Sequence, residues 1–147
     1  MGTYITFPDL LIWLPLLAGI LCFFTKEEKH SRNTALFFSL LILAVSIATL
    51  VFNDEKKHFN YNNVNYYWLK YLGANYFIGL DGMGKMLVLL TAISFPLIFV
   101  ATAKAPVKKA NAYFGLLMFT QAGLMGVFMA LDALTFYFFW ELALIPV

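Results

Sequence analysis

Cysteine is all but missing from this chain. Cys22 stands alone among 147 residues, which excludes an internal disulfide and any thiolate metal site built by the chain itself, and leaves it a small packing residue. Only two histidines occur, His30 and His58. They fall in loops on opposite sides of the second apolar run, so they cannot face one another across a bis-histidine haem, and a cytochrome b role is disfavoured. Charge is scarce too: Asp, Glu, Lys and Arg make up 12% of the residues, against about 25% in soluble domains. The net charge of +2 is too small and too scattered to hold nucleic acid. A phosphate cradle is also lacking, because Gly79-Leu80-Asp81-Gly82-Met83-Gly84 clusters glycines without a nucleotide-fold strand or a Walker pattern. No catalytic triad is arguable, and no cofactor or metal is expected on this chain. The residues before Phe7 carry no basic n-region and no small-residue cleavage motif follows the first apolar run, so that run is expected to stay as a span rather than be removed as a signal.

What the chain has in abundance is apolar length, with 62% hydrophobic residues. The first run, Phe7 to Phe24, is broken only by Asp9, and the second, Thr34 to Phe52, contains no charge. Further runs extend over about 80–103 and 112–130, and a fifth begins at Asp132 and is still apolar at Val147. A span needs about 20 apolar residues. The expectation is an all-α, polytopic membrane protein with about five transmembrane helices in a single membrane domain, residues 1–147. The fifth helix, 132–147, is incomplete, and the segment 53–79 forms an external loop. Ile145-Pro146-Val147 offers no polar or aromatic interface residue, so the chain reads as a fragment of a longer polypeptide.

The loops set an orientation. Lys26, Lys29 and Arg32 lie between runs one and two, and Lys104, Lys108 and Lys109 between three and four, whereas the segment before run one has no Lys or Arg. By the positive-inside rule the N-terminus is outside. Lys56, Lys57 and Lys70 in the long loop oppose this, but the total favours it. That loop is rich in Asn and Tyr, with Trp68 near its end, a character that fits a segment lying against the outer surface.

One charge stands out. Glu141 sits inside Phe138-Phe139-Trp140-Glu141-Leu142-Ala143-Leu144-Ile145 with no neighbouring cation. If Asp132 caps this helix, nine residues at about 1.5 Å each put the carboxylate about 13.5 Å deep, close to the midplane of a hydrocarbon core about 30 Å thick. A charge there costs roughly 2.5 to 3.5 kcal/mol on insertion scales, so such groups face a protein interior and handle ions or protons. The bland alternative is a carboxylate near a membrane surface. Gly115, Gly123 and Gly126 read as sites of close helix approach. Gln121 reads as a helix-to-helix hydrogen bond, with an internal water in a polar track as the sharper option. Pro96 lies inside the third run, and Pro146 removes the hydrogen bond to the Leu142 carbonyl, which either hydrates the site or serves a packing kink. Asp81 and Lys85, four residues apart with the acid first, predict an interface ion pair with the lysine snorkelling outward.

Two stretches carry a resemblance. Trp68 to Gly82, with Leu87-Val88-Leu89-Leu90-Thr91, resembles the lead-in to the third helix of the chain M family in proton-pumping NADH-quinone oxidoreductases. Gln121 to Phe128, Leu131-Asp132 and Phe136 to Pro146, with the specific pattern Trp-Glu-Leu-x-Leu-Ile-Pro, resembles that family's fourth and fifth helices. The first two helices match in hydrophobicity and position. Lys85 departs from the pattern, which places an apolar or small residue there. The resemblance implies the N-terminal portion of an antiporter-like subunit of respiratory complex I, in a bacterial plasma membrane. Its partners would be the lipid bilayer, protons and other membrane-arm subunits. It also implies that the glutamate matching Glu141 takes part in proton transfer with a lysine on a later helix, and that flavin, iron-sulfur clusters and quinone belong to other subunits. Two alternatives stay open: a subunit of a multi-subunit cation/proton antiporter, and a structural or inactive truncated membrane segment in which Glu141 merely bonds a neighbouring helix.

Overall fold

The computed structural model describes residues 6–52 and 63–146; Lys56, Lys57, His58 and Val147 lie outside the described residues. Five helices carry the chain: α1 (Phe7–Phe24), α2 (Glu28–Val51), α3 (Gly82–Ala101), α4 (Ala110–Met129) and α5 (Ala133–Leu144). The first four are long and apolar enough to cross a membrane, α3 being counted through the 3-10 turn Thr102–Lys104. At 12 residues α5 is shorter, about 18 Å of helix. Trp13, Phe24, Phe37, Leu90, Leu97 and Val100 stand exposed around the bundle, an apolar surface that lipid matches and water does not. The chain is an integral membrane protein.

Three aspartates within or beside the apolar runs help to start helices. Asp9, which breaks the first run, closes a capping box on α1: its backbone N–H donates to Thr6 Oγ1 at 3.5 Å and its Oδ2 accepts from the Thr6 backbone N–H at 3.3 Å. Asp81 caps α3 by accepting from the Gly84 N–H at 2.6 Å, and Asp132 caps α5 by accepting from the Leu134 N–H at 3.1 Å. Helix α2 begins at Glu28, well before the apolar run at Thr34. Its first turn is polar and largely exposed, with Glu27 and His30 paired at 2.7 Å, so hydropathy reveals only the part of this helix that leaves water.

Helix α4 is the centre of the bundle, packed against α1, α2, α3 and α5. Phe99 of α3 meets Phe114 of α4 with ring centroids 5.9 Å apart, and Leu11, Ile42, Val88, Met118 and Met125 complete the buried interior. Arg32 Nη1 donates to the Ala103 carbonyl at 2.9 Å. That bond brings the start of α2 to the end of α3, so the two basic loops share one end of the bundle.

At the other end the expected irregular loop contains a hairpin. Strands β1 (Asn63–Leu69) and β2 (Ala74–Gly79) pair antiparallel from Asn63↔Gly79 to Leu69↔Ala74, with an irregularity between Tyr67 and Leu69 and a left-handed Gly73 (φ 65°) in the turn. Strand β2 docks where α4 gives way to α5. The Leu131 N–H donates to the Phe77 carbonyl at 2.9 Å, Thr135 Oγ1 donates to the Asn75 carbonyl at 3.0 Å, and the Phe77 N–H donates to Thr135 Oγ1 at 3.3 Å. Thr135→Val keeps the shape and deletes both side-chain bonds. Each buried group left unpaired costs about 1–3 kcal/mol, so the variant should melt at a lower temperature and lose its hairpin to limited proteolysis sooner.

Candidate functional site around Glu141

The direction in which Glu141 points is set by its neighbours on α5. Thr135, Phe139 and Ala143 are buried at spacings of four residues, so they form one stripe of the helix. That stripe packs on α4 through two glycines. A Cβ added at Gly126 would fall within the Phe139 ring, and one at Gly123 would lie 2.6 Å from the Ala143 nitrogen. Gly115 plays the same part toward α1, where a Cβ on Gly19 would come 3.1 Å from the Gly115 carbonyl oxygen. The three glycines are thus places of close helix approach, as expected of small residues within a membrane helix.

Glu141 follows Phe139 by two residues, about 200° around the helix. It therefore points away from α4, and it is only partly buried. Tyr137, one turn earlier, is its electrostatic neighbour, and Trp140 and Leu144 stand exposed beside it. The carboxylate and the phenol share an outer face that α1 to α4 do not enclose. The turn at Ile145 keeps helical dihedrals (φ −55°, ψ −43°) and its N–H donates to the Glu141 carbonyl at 3.0 Å.

Two other polar residues are placed differently from expectation. Lys85 does not snorkel: it is 7% exposed, because it shares the inward stripe of α3 with Val88, Ala92, Phe95 and Phe99. The Asp81 carboxylate accepts from the Gly84 N–H through Oδ1. Gln121 is 0% exposed and makes no helix-to-helix hydrogen bond among the described residues. Both burials are readable from periodicity: Lys85 precedes Val88 and Ala92 by three and seven residues, and Gln121 stands at the same spacings from Met118 and Phe114.

Cys22 is buried, and its thiol lies 3.6 Å from the Ser31 carbonyl. Among the described residues, no group of three or more His, Cys, Asp or Glu side chains comes together.

No family model matches the chain. Similar proteins are found among membrane oxidoreductase subunits. The F(420)H(2) dehydrogenase subunit M of Methanosarcina mazei is 37% identical over 140 residues, 94% of this chain and 28% of that protein. The chloroplastic NAD(P)H-quinone oxidoreductase chain 4 of Chlorokybus atmophyticus is 32% identical, over 94% of this chain and 27% of its own length. The NADH-quinone oxidoreductase subunit M of Buchnera aphidicola is 28% identical, over 94% of this chain and 29% of its own. The chain spans little more than a quarter of the length of these relatives.

Proposed function

This chain is a homologue of the subunit M and chain 4 proteins across the part it shares with them, and from that premise we propose that it belongs to a membrane arm that translocates protons. The translocation is coupled to electron transfer from NADH, or a comparable reductant, to quinone. The observation that carries the reading is Glu141: an acid flanked by apolar residues on α5, turned away from α4. Left against acyl chains, that charge costs roughly 2.5–3.5 kcal/mol or more. The chain spans only 27–29% of these relatives' lengths, and the reading places further membrane helices against this face, with a lysine there as the partner of Glu141. Desolvation favours the neutral acid and an approaching cation favours the carboxylate, so a cation that nears and withdraws loads and unloads one proton. Tyr137 positions the carboxylate between those states.

The meeting of Arg32 with Ala103 supports an orientation in which both basic loops are cytoplasmic and the N-terminus lies outside a bacterial inner membrane. The reading assigns flavin, iron-sulfur clusters and quinone to other subunits. It expects the tagged full-length subunit to copurify with peripheral iron-sulfur proteins as well as membrane subunits. Copurification with small membrane subunits alone would overturn it in favour of a cation/proton antiporter.

A further inference from the structure

The far side of α4 holds a second polar site. Gln121 follows Met118 and Phe114 by three and seven residues, so it shares the stripe that faces α3, about 200° around the helix from Gly123 and hence from α5. Its Nε2 and Oε1 are buried and neither has a hydrogen-bond partner. On the inward stripe of α2, whose members are Ser31, Ala35, Ser39, Ile42, Ser46 and Thr49, the Ser46 hydroxyl is likewise buried and unpartnered. Ser31 Oγ, at the far end of that stripe, is unpartnered as well, whereas the hydroxyls nearer to Ser46 are bonded. Ser39 donates to the Leu36 carbonyl at 2.8 Å, Thr49 to the Ser46 carbonyl at 2.6 Å and Thr91 to the Leu87 carbonyl at 2.9 Å.

These groups come to similar heights. Helices α3 and α4 run antiparallel, with Gly84 against Phe128 at one end and Phe99 against Phe114 at the other, so Gln121 is level with Thr91 and Ala92. Counting from the Arg32–Ala103 contact at about 1.5 Å per residue, Ser46 lies within about one helical turn of that level. Gln121 is 0% exposed. A buried amide with both ends unpaired is penalised as heavily as a lost hydrogen bond on each, and polar groups enclosed in this way are met by ordered water. We propose that α2, α3 and α4 enclose an internal water site. Water donates to Gln121 Oε1 and accepts from Gln121 Nε2, and the Ser46 hydroxyl is the third partner. The site lies on the opposite side of α4 from Glu141 and does not depend on the proton-transfer reading.

The test uses the complete subunit in its assembly. A map that resolves internal waters elsewhere should show density within hydrogen-bonding distance of the Gln121 amide, and that density should vanish in Gln121→Leu. A dry amide, or one bonded to a protein group, in such a map overturns the proposal. Thermal melting gives a second readout. Gln121→Leu should lower Tm by stranding Ser46, and Gln121→Leu with Ser46→Ala should recover most of the shift. A Tm raised by Gln121→Leu alone would mean that the amide had been unpaired and dry.

Discussion

Glu141→Gln in the full-length subunit should leave the assembly intact while proton translocation falls at least about tenfold, since a positioned proton-transfer group typically contributes 10²–10⁴-fold. Glutamine matches the size and keeps Tyr137 as its neighbour, and position 141 lies about 200° around α5 from Phe139, which packs on Gly126 of α4. What it loses is ionisation. Sealed vesicles driven by the complex's own electron donor, with a fluorescent reporter of internal acidification and quinone reduction followed in parallel, give the measurement. Tyr137→Phe should produce a much smaller deficit because the carboxylate survives. Full acidification by the Gln variant would leave Glu141 a mere structural acid.

Gly126→Leu should have the larger effect on the protein itself. The position of a Cβ there is already filled by the Phe139 ring, so leucine forces α5 away from α4. Overpacking costs typically about 1–3 kcal/mol, occasionally more, and here both partners are buried in the seam that sets the rotation of α5. The subunit should be nearly absent from assembled complexes on native gels. Gly126→Ala combined with Phe139→Leu should assemble better than Gly126→Ala alone, because the second change makes the room the first one needs. Independent, additive deficits would show that the seam is not what the glycine protects.

The spans were legible because burial in lipid demands unbroken apolar length, and Phe7 to Phe24 announces itself on that basis. The start of α2 was not, because Glu28 to Asn33 is helix in a polar setting and hydropathy carries no signal for it. Asn63 to Tyr66 does alternate polar with β-branched and aromatic residues, a strand pattern hidden by the loop's Asn-rich composition. Lys85 misled because its place near the helix end suggests a lysine snorkelling outward, while its spacing to Val88 and Ala92 spells the interior. Glu141 was legible as an anomaly. Its direction needed the partner of Gly126 to be known, since a helix wheel has no zero until one contact defines it.

The bonds from Thr135 to Asn75 and Phe77 join parts of the chain about 60 residues apart, with α3 and α4 between them. In N-to-C synthesis the hairpin is made before either of those helices and then waits, since its docking surface does not yet exist. The outer clasp therefore closes only after α5 has arrived, which makes its closure a mark that insertion of this half of the bundle is complete.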